Sequence, residues 1–171
     1  ILVDDLTLEY SKTVELPAEQ PVHEPILSSW DSLPANATKF AVVSGMELRG
    51  NSGIFASIRN RQLLRKLKFE DLDFVIFNGG IVASDTLDNY QFAKDFINDN
   101  LNLPYYAVPG VQDASGTNRL DNFTNAFGSN FQKVDMNDTR FILLNSSLGN
   151  LRVSNPAQWR TLLQWLKDSK T

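Results

Sequence analysis

Residues 40–45 read FAVVSG, residues 74–80 read FVIFNGG and residues 105–110 read YYAVPG. Each is a short run of β-branched and aromatic side chains that stops at a glycine, the pattern of a strand buried on both faces. Between the first two runs, Ile54, Phe55, Ile58, Leu63, Leu64 and Leu67 recur close to helical spacing, with Arg59, Arg61, Arg65, Lys66 and Lys68 on the other side. Between the second and third, Leu87, Tyr90, Ala93, Phe96 and Ile97 repeat that spacing behind Asp85, which reads as the N-cap. Strand, helix, strand, helix, strand with short connections predicts an α/β fold: a βαβαβ parallel sheet with flanking helices. Ligands of such sheets gather at the carboxyl ends of the strands, so the loops to inspect begin at Ser44, Asn78 and Pro109.

Downstream, Phe131 to Met136 and Phe141 to Asn145 flank Asn137 and Asp138, two residue types that tolerate the left-handed turn of a hairpin. The sheet is expected to gain antiparallel strands there. The last element is a helix with Asn155 as N-cap, Pro156 in the first turn, Gln158 closing a capping box, and an apolar stripe of Trp159, Leu162, Leu163 and Leu166. Trp159 and Trp165 lie six positions apart and so off a common face, which makes at least one of them a candidate contact for the missing sheet, with core packing the default for Trp159.

Upstream the organisation changes. Residues 1–10 alternate loosely as a strand, residues 11–38 carry Pro17, Pro21, Pro25 and Pro34 as a linker, and the folded domain is expected over 39–171. The segment VDDLTLEY at 3–10 resembles the closing strand of carbohydrate-binding-like β-sandwich modules, which implies a preceding domain. Asp4 and Asp5 there read as a polar strand face rather than a calcium site.

Composition narrows the function classes. In 171 residues, 16 Lys and Arg against 20 Asp and Glu leave a net charge of −4, which offers no electrostatic footprint for a nucleic-acid backbone. No run of apolar residues is long enough for a membrane span. There is no cysteine, so thiolate zinc sites and cysteine nucleophiles are excluded together. The single histidine, His23, stands in the Pro-containing segment and cannot by itself build a transition-metal site.

At the three strand ends, in the frames FAVVSGMELRG, DFVIFNGGIVAS and LPYYAVPGVQDAS, the chain resembles the calcineurin-like metallophosphoesterase family. The resemblance implies two divalent metals held by an Asp-x-His, a Gly-Asp and a Gly-Asn-His-Asp or Glu motif. Here Gly45 and Glu47 match the first motif, Gly80 stands for the aspartate of the second, and Val111 and Gln112 replace Asn-His of the third, leaving Asp113. A close cation pair needs anionic oxygen between its members, and glycine and valine supply no ligand atom. Neither metals nor catalytic residues are therefore expected. A single calcium on Glu47 and Asp113 is the remaining metal reading, set against loop carboxylates that cap or face solvent. The resemblance runs over 39–170 and covers the first half of an α/β/β/α sandwich, so one sheet face is expected to need further chain or a protein partner.

Three functions follow as expectations. The first is a catalytically degenerate metallophosphoesterase-like domain, a structural or partner-binding module of a larger, extracytoplasmic protein. The second is an active metal-dependent phosphoesterase with a rebuilt site, and the third a cell-surface or carbohydrate-associated module. The basic stripe from Arg59 to Lys68 reads as a solvated helix face. Asn36, Asn122, Asn137 and Asn145 each open an N-x-S/T sequon, a pattern that matters only in a secretory setting.

Overall fold

A computed structural model of the chain describes residues 37–50, 54–117 and 120–168. The strand expected over 1–10, the linker before residue 37, Asp4, Asp5, His23 and the Asn36 sequon lie outside the described residues. The parallel sheet is present as β1 (Phe40–Val43), β2 (Phe74–Asn78) and β3 (Tyr105–Val108), in that spatial order. The register sets Phe40 beside Phe74 and Val75 beside Tyr105. The crossovers are α1 (Ile54–Phe69) and α2 (Leu87–Asn100).

The pleat divides the apolar side chains between two cores. Val43, Val75, Phe77 and Ala107 face α1 and α2, where Leu64, Tyr90, Phe96 and Ile97 meet them, with Phe123 of a short helix α3 (Asp121–Phe127). Phe74, Ile76 and Val108 face the opposite way, against Val134 and Leu143 of β4 (Gln132–Met136) and β5 (Thr139–Leu143). Phe74 sits at the centre of that second core, stacked on Phe40 and edge-on to Tyr106 and Phe141. The result is three layers: helices, parallel sheet, hairpin.

Four expectations are corrected by this packing. The hairpin does not extend the parallel sheet; β4 and β5 form a separate two-stranded sheet laid face to face on it, because Val134, Met136 and Phe141 have their apolar partners on that face rather than at an edge. Consequently the second face is covered over β2 and β3, while Phe40 (39% exposed) and Val42 (54%) on the edge strand β1 remain open among the described residues. On α1, Ile58 and Leu63 point outward, while the buried side includes Asn60, whose Nδ2 donates to the Met46 carbonyl at 2.7 Å. Thr86, not Asp85, caps α2: its hydroxyl accepts from the Asn89 amide at 3.3 Å.

The C-terminal helix is split. A single turn α4 (Leu151–Ser154), capped by Asn150, precedes α5 (Pro156–Asp168). Asn155 does cap α5, its Oδ1 accepting from the Ala157 amide at 3.1 Å. Gln158 closes no capping box; its side chain is fully buried and turned toward the end of β5. Trp165 packs on Phe131, while Trp159, expected in the core, faces outward beneath the Arg152 guanidinium.

Candidate functional site: the strand-end loops

The loops after β1, β2 and β3 converge at the carboxyl edge of the sheet, and their backbones carry the pairing past the strand ends. The Gly45 amide donates to the Gly79 carbonyl at 3.1 Å, Glu47 to Gly80 at 2.8 Å and Leu48 to Ile81 at 2.9 Å. A last parallel bridge joins Leu48 to Val82. On the other side the Gly79 amide donates to the Val108 carbonyl at 3.0 Å. Gly45, Gly79 and Gly80 all hold left-handed backbone, φ 65°, 75° and 63°, which a chain of L-residues adopts at least cost through glycine.

Asp113 is the centre of this arrangement. It sits in a 3₁₀ turn (Gln112–Ala114) and is fully buried. Its Oδ2 accepts from the amides of Gly80 at 2.7 Å and Gly110 at 2.8 Å, and its Oδ1 from Val82 at 2.9 Å. Burial pushes its carboxyl above the ordinary aspartate value, and the amide donors pull only partly the other way. Its own carbonyl accepts from the Tyr90 hydroxyl at 2.6 Å. The Tyr90 phenol is raised in turn, first by burial and then by the nearby charges of Asp113 and Asp85.

The six predicted site positions separate into two groups. Gly45, Gly80 and Asp113 adjoin one another at the sheet edge, with Asp113 buried, Gly80 half-buried and Gly45 exposed, whereas Glu47, Val111 and Gln112 are exposed around them. Glu47 holds left-handed backbone at φ 49°, and Val111 is 67% exposed. Glu47 and Asp113 are not presented to a common point: one carboxylate faces solvent and the other is enclosed by amide donors. Two divalent cations do not fit this set. Gly45, Gly80 and Val111 offer no ligand atom, and the Asp113 oxygens already accept three amide protons. Among the described residues no three acidic, histidine or cysteine side chains gather as a metal-binding group.

Asp85 is a supporting residue that sequence reasoning assigned to the wrong task. It is buried, accepts from the Gly116 amide at 3.2 Å and from Asn122 Nδ2 at 2.9 Å, and its amide donates to Ser115 Oγ at 3.2 Å. It thereby ties the start of α2 to the segment following Asp113. A cap and a tertiary anchor look alike in sequence, since both are a small polar residue just before a helix.

The sequons separate by burial as well. Asn145 is fully enclosed, and its Nδ2 has no partner among the described residues. Asn122 commits its amide nitrogen to Asp85. Asn137 stands on the exposed hairpin turn, donating to Thr38 Oγ1.

No family model matches the chain, and no curated protein matches it. Among solved structures it is similar to the purple acid phosphatase PPD1 from yellow lupin (Lupinus luteus) seeds, with a TM-score of 0.44 and 14% identity. The match covers 61% of this chain and 23% of that one, so the chain spans less than a quarter of the plant protein's length. At that identity and TM-score the likeness bears on no residue's role.

Proposed function

We propose that the chain is a catalytically degenerate metallophosphoesterase-like domain that works without metal as a structural or partner-binding module of a larger, extracytoplasmic protein. The observation that carries this reading is the chemistry of the strand ends. Where the resemblance requires anionic and imidazole ligands, Gly45, Gly80, Val111 and Gln112 offer hydrogen, isopropyl and a neutral amide, and of the two carboxylates Asp113 is enclosed while Glu47 faces solvent away from it. Without a cation pair no bound water is acidified and no charge stabilises in-line displacement at phosphorus.

The partner-binding part is supported by α5. Trp159, Leu163 and Leu166 recur at helical spacing and stand open on its outer face, an apolar surface that a partner of matching character would bury. No described helix is long and apolar enough to cross a membrane.

Elemental analysis after equilibration with manganese, iron, zinc and calcium, run beside a phosphodiesterase assay, tests the reading. Metal well below one ion per chain and no turnover are expected. Two transition metals per chain with turnover would sink it.

A further inference from the structure

Three N-x-S/T sequons lie among the described residues, and their surroundings separate them as acceptors of a sugar. Asn145 has no exposed surface, and Ser147, the third residue of its sequon, is buried with its hydroxyl donated to Asn145 Oδ1. A glycan on Asn145 would have no way out of the core. Asn122 lies in the first turn of α3, its Nδ2 bonded to the buried Asp85 and its neighbour Phe123 fully buried. A sugar on that nitrogen would break the tie between α3 and the start of α2. Asn137 differs on each count. Asn137, Asp138 and Thr139 are all exposed at the tip of the β4–β5 hairpin, where Met136 and Thr139 form the last pair. The turn borders an open polar hollow of about 440 Å³ lined by Asp135, Asn137, Asp138, Thr139, Arg140 and Asp168. Asn137 Nδ2 donates to Thr38 Oγ1 at 2.9 Å, a surface bond that a substituted amide, which keeps one N–H, is able to retain.

We propose that Asn137, alone among the three described sequons, is the acceptor of an N-linked glycan when the domain enters a secretory compartment. The donor class is a lipid-pyrophosphate-linked oligosaccharide. Asn137 Nδ2 gives up one proton and bonds to the anomeric carbon of the first sugar; the sugar–phosphate bond breaks, and the lipid pyrophosphate leaves with its electron pair. Thr139 supplies the hydroxyl at the third position, and Asp138 between them is not proline, the residue the motif forbids. Occupancy in the protein's own setting rests on the extracytoplasmic reading above and deepens it, by naming the side chain that would carry the mark of that compartment.

The test is expression of the full chain behind a cleavable secretory leader in eukaryotic cells, with Asn36→Gln throughout so that the sequon outside the described residues makes no contribution. Peptide N-glycosidase in heavy-oxygen water then labels each asparagine that carried a sugar, and peptide mass spectrometry reads the labels. Most folded chains are expected to be labelled at Asn137, and none at Asn122 or Asn145. Thr139→Val destroys the sequon but keeps a strand former at the start of β5. It is expected to abolish the label at Asn137 and to change Tm by no more than about 2 °C.

An unlabelled Asn137 in chains whose leader has been removed, secreted or retained, overturns the proposal. So does a label at Asn145 in chains that melt cooperatively, because exposure in the fold would then not select the acceptor. If little protein is secreted, the leader-cleaved chains inside the cell give the same reading of Asn137. Protein isolated from its natural source is read separately. A label at Asn137 there supports both the acceptor and the extracytoplasmic reading. Its absence there, with the leader-driven chain labelled, sinks the extracytoplasmic reading and upholds the acceptor.

Discussion

Gln158 holds the backbone of Asn145 from both sides: its Nε2 donates to the Asn145 carbonyl at 2.7 Å and its Oε1 accepts from the Asn145 amide at 2.9 Å. The same nitrogen donates to the Leu151 carbonyl at 2.6 Å. One buried side chain thus stands in for a strand partner just beyond β5 and fixes α5 to it.

Gln158→Ala is expected to cost about 3 kcal/mol, since it strands an amide and a carbonyl in a dry site and leaves a cavity. Gln158→Glu keeps the shape but opposes an anion to two carbonyl oxygens, and should cost a comparable amount. Urea unfolding of both variants checks this; a loss below about 1 kcal/mol for Gln158→Ala would mean water replaces the side chain.

Tyr90→Phe removes the donor to the Asp113 carbonyl while keeping the ring against Phe123 and Phe127. A loss of about 1–2 kcal/mol is expected by chemical denaturation. No loss would show that the hydroxyl contributes nothing net to holding the turn.

Asp113 and Asp135, two described carboxylates with shifted pKa values, act in opposite senses. Asp113, raised by burial, stabilises the fold fully below the unfolded aspartate range, and that contribution is lost as pH rises through its folded value. Asp135, lowered first by its hydrogen bond from Arg140, contributes above the unfolded range and loses it as pH falls through its folded value. Carboxyl-carbon NMR titration should find Asp113 titrating above Asp135; the reverse order would contradict both assignments.

Exposure predicts which leucines matter for folding. Leu163 and Leu166 are 47% and 46% exposed, so Leu163→Lys and Leu166→Lys should each change stability by no more than about 0.5 kcal/mol. Leu64, with no exposed surface, should cost about 2–5 kcal/mol as Leu64→Ala. Calorimetry on the three separates a face left open for a partner from one that builds the core.

The parallel βαβαβ order and the Asn137 turn were legible in the chain because they rest on local quantities: the period of apolar residues, glycine at strand ends, and a residue that tolerates φ 50°. So was the absence of ligand chemistry at Gly45, Gly80 and Val111, which is a matter of atoms rather than of geometry. Gln158 and Asp85 carry no local mark distinguishing a helix cap from a tertiary anchor. Their bonds run to Asn145 and Gly116, and only the folded chain brings those partners within reach. The facing of Trp159 and Trp165, the placing of the hairpin over the sheet and the gathering of strand-end amides around Asp113 were likewise settled by packing. Each depends on which surfaces meet, and periodicity says that a face is apolar without saying what will cover it.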